Sequence, residues 1–141
     1  MDQRLSLITL AVGDLPRSRG FFEAGLGWTP LSVMDGICFY QLNGLGLALF
    51  RRADLEADAA RPIDGGFSGI TLAVNQRSRE EVDAVYARAL SSGAAALKPP
   101  EPTPWGGYSG YFADLDGHVW ELAHNPSCTI DAEGRTLFSA A

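Results

Sequence analysis

Ile8-Thr9-Leu10-Ala11-Val12 occurs again as Ile70-Thr71-Leu72-Ala73-Val74, 62 positions later in a chain of 141 residues. Each copy has a serine two residues before it, Ser6 and Ser68, and each is followed by turn residues and a helical pattern. An identical five-residue string in a chain without low complexity points to one supersecondary unit used twice. The rest of the chain can be laid out around these two copies.

Residues 5–12 alternate and carry β-branched Ile8, Thr9 and Val12, which predicts a strand. Asp14 or Leu15 leads into Pro16, suited to the first turn of a helix, and Phe21, Phe22 and Leu26 follow at helical spacing. Gly25 and Gly27 stop that helix. Trp28 to Met34, Ile37 to Leu42 and Leu45 to Arg52 read as three strands, the last two joined by the hairpin dipeptide Asn43-Gly44. Residues 53–66 are rich in alanine and aspartate, hold Pro62 and Gly65-Gly66, and read as a connection with at most one helical turn.

The second copy opens the same order. Strand 68–75 precedes Ser78 and Glu81, spaced as a capping box, and a helix whose stripe is Val82, Val85, Tyr86, Ala89 and Leu90. Gly93 ends it and Ala94 to Leu97 forms a strand. Pro99, Pro100, Pro102 and Pro104 predict an extended loop running to Trp105-Gly106-Gly107. Strands Tyr108 to Ala113 and His118 to His124 then meet at Asp116-Gly117, the counterpart of Asn43-Gly44. The reading is a first β-α-β-β-β module (1–52), the connection (53–66), a second module (67–126) and a tail (127–141) with a small hairpin, together one compact domain.

Composition limits the function classes. The chain is 46% hydrophobic and 20% charged, an ordinary globular balance, and its net charge of −6 offers nothing to neutralise a run of phosphates. Nucleic acid is therefore not an expected partner. The first residues lack a basic segment followed by a long apolar run, so neither a secretory leader nor a membrane span is expected. Cys38 and Cys128 are far apart without metal-type spacing, and free thiols in a reducing cytoplasm are the expectation.

Strand parity assigns faces. Ile8, Leu10 and Val12 are expected against the helix, which leaves Leu7, Thr9 and Ala11 opposite; Gly69, Thr71 and Ala73 fall on the equivalent face of the second module. In the last strand Trp120 and Leu122 are expected under the helix, with Val119, Glu121 and Ala123 opposite. Small residues, two threonines and one carboxylate on one face suggest room for a ligand, whereas simple packing against the twin face is the plainer alternative. Phe39 and Tyr40 divide between core and that face, in an order parity alone does not fix. Trp28 is expected in the core.

The stretch from Ile8 to Ser18, with Phe21-Phe22 and Gly25-Leu-Gly-Trp28, resembles the opening of the vicinal oxygen chelate superfamily, which includes glyoxalase I, bleomycin resistance proteins and extradiol dioxygenases. Tyr111 to Leu122 resembles the same group's Asp-Pro-Asp-Gly hairpin and strand glutamate, with Leu115 where proline is usual. The resemblance implies an α+β fold of two tandem β-α-β-β-β modules, with curled mixed sheets around a cavity, often in a homodimer. Metal-using members carry ligands at positions that align with Leu7, Ala48, Gly69 and Glu121. Three of those four residues have no donor, and one carboxylate does not hold a divalent ion against water. His118 lies in a turn and His124 has outward parity, so neither replaces a lost ligand.

No metal or other cofactor is therefore expected. The resulting reading is a small-molecule-binding protein with a degenerate metal site. Its expected ligand contacts are Thr9, Ala48, Thr71, Trp105, Tyr108 and Glu121. Glu121 is the candidate catalytic residue, since a carboxylate in an apolar cavity can serve as a general base, and it is equally suited to anchoring an amine or hydroxyl. Trp105 and Tyr108 flank a glycine-rich loop that either grips a ligand or closes on its own module. Two alternatives stand beside this reading. One is a glyoxalase-type enzyme, metal-dependent or using Glu121 as base; the other is an interaction module. No Ser-His or Cys-His pair and no phosphate-cradling glycine loop is evident.

Overall fold

Alternation and turn chemistry produce two four-stranded mixed sheets with one order of pairing. The structure, a computed structural model, describes residues 1, 3 and 5–139. The chain divides into two compact units, Met1–Ser68 and Gly69–Ala141. Strands in the first are β1 (Leu7–Val12), β2 (Ser32–Met34), β3 (Ile37–Gln41) and β4 (Gly46–Arg51), in spatial order β1-β4-β3-β2. In the second they are β5 (Thr71–Asn75), β6 (Ala95–Pro102), β7 (Tyr108–Ala113) and β8 (Val119–His124), in order β5-β8-β7-β6. Each unit closes with a parallel pair, β1 with β4 and β5 with β8, and its other pairs are antiparallel. The α+β architecture of two tandem β-α-β-β-β modules is thus present.

In the first unit Asp14 caps helix α1 (Leu15–Gly20) by accepting the Arg17 N–H at 3.0 Å, and Pro16 sits in the first turn. The helix widens into a π-helical turn at Phe21–Gly25, and Gly27 then leaves it with φ 79°. Phe22 packs on Trp28 and Tyr40 at ring-centre distances of 5.2 and 6.1 Å. Cys38, Leu47, Leu49 and Val12 complete this buried layer. In the second unit helix α3 (Arg79–Ser91) buries Val82, Tyr86 and Ala89. Tyr86 meets Phe112, which stacks on Trp120 with planes 5° apart. Between these comes α2 (Arg52–Ala59), and after β8 an antiparallel hairpin of β9 (Cys128–Ile130) and β10 (Thr136–Phe138).

Four boundaries differ from the sequence expectation. The strand expected from Trp28 is only Ser32–Met34, because the Trp28 ring turns into the core and Pro30 has no N–H for a ladder. The connection holds an eight-residue helix, α2, in place of a single turn. The strand expected at 68–75 begins at Thr71, since Gly69 takes a left-handed backbone with φ 78°. Of the proline run expected as a loop, Pro99, Pro100 and Pro102 belong to β6, and Pro104 lies in the turn after it. That strand is at the sheet edge and its register shifts twice, which is where missing N–H donors are tolerated.

Candidate functional site

Helix contacts on one side of each sheet define which side chains face away. Phe112, Trp120 and Leu122 lie beneath α3, so Tyr111, Glu121 and Ala73 stand on the opposite side by alternation. The cross-strand register places Ala73, Glu121, Tyr111 and Lys98 in one row across all four strands. Glu121 and Tyr111 are half-buried, whereas Lys98 is exposed and pairs with Glu101 at 3.1 Å. Burial raises the Tyr111 hydroxyl pKa, the Glu121 carboxylate raises it further, and Lys98 opposes both. Thr71 lies in the adjacent row, opposite Val119, and is exposed.

Sequence reading did not single out Tyr111 and Lys98. Their register is set by a three-residue turn, Leu115–Gly117, closed by the Asp114 N–H to His118 carbonyl bond at 2.9 Å; the two-residue turn expected at Asp116-Gly117 would have placed Tyr111 opposite Leu122.

The first unit presents the equivalent face. Thr9, Ala48, Phe39 and Ser32 share a row there, with Ala48 fully buried and Thr9 and Phe39 half-buried. Tyr40 points the other way into the core, donating its hydroxyl to Glu23 at 3.1 Å, and burial raises its pKa. The order of Phe39 and Tyr40, open from the sequence, is thereby fixed.

Tyr108 is placed differently from the expectation. Its hydroxyl donates to Asp83 of α3 at 2.8 Å and Arg79 lies 5.5 Å over its ring, so it belongs to the helix side of the sheet. The structure does not bring Tyr108 to the face of Glu121. Trp105 is 52% exposed, in a turn closed by the Gly107 N–H to Thr103 Oγ1 bond at 3.0 Å. Its ring covers Gly107, where an added Cβ would overlap it.

The positions aligned with family metal ligands do not form a donor set. Leu7 is aliphatic and 45% exposed, Ala48 is a buried methyl, and Gly69 has neither a side chain nor a strand backbone. Among the described residues no three of His, Cys, Asp and Glu cluster around a common point. His118 sits in the β7–β8 turn, and His124 Nδ1 is 3.2 Å from the Gln76 carbonyl. Of the four positions that the resemblance aligns with metal ligands, only Glu121 carries a donor side chain, whereas a divalent ion needs several nitrogen or oxygen ligands at fixed distances.

The model of the Glyoxalase/Bleomycin resistance protein/Dioxygenase superfamily matches residues 4–122. The chain belongs to this superfamily. It is the vicinal oxygen chelate group whose opening strand and terminal hairpin the sequence resembles. Among solved structures, a glyoxalase-related enzyme from Fulvimarina pelagi is 38% identical with a TM-score of 0.93, over 98% of this chain and 99% of that one. A glyoxalase/bleomycin resistance protein/dioxygenase from Nocardioides is 28% identical with a TM-score of 0.73, over 88% and 84%. Metallothiol transferase FosB of Lysinibacillus sphaericus (strain C3-41) is 27% identical over 121 residues, spanning 85% of this chain and 81% of that protein.

Two clefts lie away from Glu121. One of about 520 Å³ is bounded by residues 13–16 and 33–36, with Arg19 and Arg51. The other, of about 230 Å³, lies where β5 and β8 end. Both cysteines are free, Cys38 buried and Cys128 half-buried at the second cleft. No helix among the described residues is long and apolar enough to cross a membrane.

Proposed function

We propose that this superfamily member binds a small organic molecule on the sheet face carrying Glu121, without a resident divalent ion. The observation that carries the reading is the row Ala73, Glu121, Tyr111 and Lys98. A small residue beside a half-buried carboxylate leaves room for a ligand, and the carboxylate can accept from its amine or hydroxyl. Tyr111 supplies a flat ring with a polar tip, and Thr71 in the adjacent row adds a hydroxyl. The lack of side-chain donor atoms at Leu7, Ala48 and Gly69 supports the reading without a metal.

The test has two parts. A thermal-shift screen of metabolites and antibiotics should give a hit that Glu121→Gln and Trp105→Ala weaken. No hit across a broad collection would turn the reading towards an interaction module. Separately, metal-free protein incubated with zinc, nickel, manganese and iron should take up no stoichiometric metal. Tight uptake lost in Glu121→Ala would overturn the metal-free assignment.

A second reading has support from the relative from Fulvimarina pelagi, which is described as a glyoxalase-related enzyme. In it Glu121 acts as a general base on the bound molecule, moving a proton without a metal. Turnover lost in Glu121→Gln, with binding retained, would favour that reading. The proposed setting is cytoplasmic, supported by the two free thiols, and the proposed assembly is a homodimer. Exposed Leu7 on β1 and Val74 on β5 are apolar side chains that a partner would cover. Light scattering at twice the chain mass would agree with a dimer, and a monomer mass would remove it.

A further inference from the structure

The cleft of about 230 Å³ at the ends of β5 and β8 is separate from the Glu121 row and has its own chemistry. Asn75, Arg77, His124, Asn125 and Cys128 line it. Arg77 Nη2 donates to the Asp131 carbonyl at 2.9 Å, which fixes the guanidinium against the tail hairpin. No carboxylate pairs with that guanidinium among the described residues. In a chain of net charge −6 an uncompensated arginine at a cleft is a distinctive feature.

The nearby acids are already engaged. Glu81 accepts the Arg77 backbone N–H at 2.9 Å, and Asp131 accepts Arg135 Nε at 2.7 Å and two backbone N–H groups. Glu80 accepts from its own backbone N–H and from Ser78, and these bonds hold its carboxyl pKa below the usual range.

The remaining wall is rich in donors. Asn125 Oδ1 accepts the Ser127 N–H at 2.9 Å, which fixes the orientation of the amide and leaves its NH2 group as a pair of donors. The Asn75 amide has no hydrogen-bond partner among the described residues and is half-buried. His124 Nδ1 faces the Gln76 carbonyl at 3.2 Å, so this nitrogen carries a proton because a carbonyl only accepts.

We propose that this cleft binds a small organic carboxylate, held by the free edge of the Arg77 fork and by the Asn75 and Asn125 amides. A planar guanidinium matches a carboxylate with two parallel N–H···O bonds, and primary amides add neutral donors on either side. The cleft has room for about eight water volumes at roughly 30 Å³ each, which suits a compact acid.

The experiment is a nitrogen–proton NMR titration of the full chain with sodium propionate at constant ionic strength, with inorganic phosphate in a parallel arm. The expected result is saturable shifts at the Arg77 Nε–H and at the Asn75 and Asn125 side-chain amides. Arg77→Gln should weaken the response at least about tenfold, and Glu121→Gln should leave it unchanged. Arg77→Lys, which keeps the charge without the fork, should also weaken it and serves if Arg77→Gln does not fold. Shifts that rise linearly without saturation, or that survive both Arg77 variants, overturn the proposal. Tighter binding of phosphate than of propionate overturns the assignment to a carboxylate. Because the readout is local to Arg77, failure here leaves the Glu121 reading untouched, and the reverse also holds.

Discussion

Tyr111 and Glu121 stand directly opposite each other across the antiparallel β7–β8 pair, on the sheet face away from α3. In this arrangement the phenol reports on the carboxylate. Burial first, and Glu121 second, raise the Tyr111 hydroxyl pKa. The charged form of tyrosine is an anion, so both a dry environment and a neighbouring negative charge disfavour it.

Glu121→Gln therefore lowers the Tyr111 titration midpoint, while a raised midpoint remains because burial is unchanged. Carbon NMR of ring-labelled tyrosine, followed from about pH 9 to 12, resolves this. An unmoved Tyr111 midpoint would mean that the two groups are not coupled.

Asp114 anchors the turn between these strands. It is 6% exposed and accepts Trp120 Nε1 and the backbone N–H groups of Asp116 and His118, each at 3.0 Å. Asp114→Ala leaves those donors without an acceptor and should cost about 2–4 kcal/mol in urea unfolding.

The same residue gives a pH dependence. Burial raises the Asp114 pKa, against the lowering effect of its hydrogen bonds. Its folded value thus lies above the unfolded one of about 3.9, so its contribution to stability is full below that pH and is lost as pH rises through the folded value. The stability of the wild type relative to Asp114→Asn should fall as pH rises from about 4 towards neutrality. The opposite slope would show that hydrogen bonding outweighs burial.

Gly107 and Trp105 form a steric pair. The Trp105 ring occupies the place of a Cβ at Gly107, and the Gly107 backbone is not in the left-handed region. Gly107→Ala should cost about 1–3 kcal/mol and shift tryptophan fluorescence. In a Trp105→Ala background the same change should be nearly neutral, so the double-mutant cycle should return a coupling of about 1 kcal/mol or more. Equal costs in both backgrounds would place the strain elsewhere.

Ser78 accepts the Glu81 N–H at 3.2 Å, and Glu81 in turn accepts the Arg77 N–H at 2.9 Å. Ser78→Ala should destabilise the second unit by about 1 kcal/mol in urea unfolding. Ser78→Asp, which retains an acceptor at the cap, should restore most of it.

The sheets and helices were largely legible, because their signals are local. Period-two alternation, Asn43-Gly44, Asp116-Gly117 and the Ser78 cap each act within a few residues. The misread places are those where distant groups decide. Trp28 leaves the strand it was assigned because Phe22 and Tyr40 offer it a place in the core. The prolines of β6 join a sheet because β7 supplies a partner on one side only.

The candidate site was legible only in part. Glu121 could be assigned a face by parity, and so could Thr9 and Thr71. Tyr108 was attached to them by proximity along a loop, yet Asp83 and Arg79, both on α3, draw its ring to the other side. Tyr111 entered the row only through register.

The repeated Ile-Thr-Leu-Ala-Val, by itself, determined the architecture, since hydrophobic period and turn type are properties of neighbours in the chain. It also determined that Leu7 and Gly69 bring no donor atoms to the positions beside it. Tertiary structure alone decided which side chains share a row with Glu121, and that Arg77, Asn75 and Asn125 meet at one cleft. The physical reason is the same in both cases. Residues far apart in sequence become neighbours only when strands pair and a hairpin folds back, and no local propensity encodes that meeting.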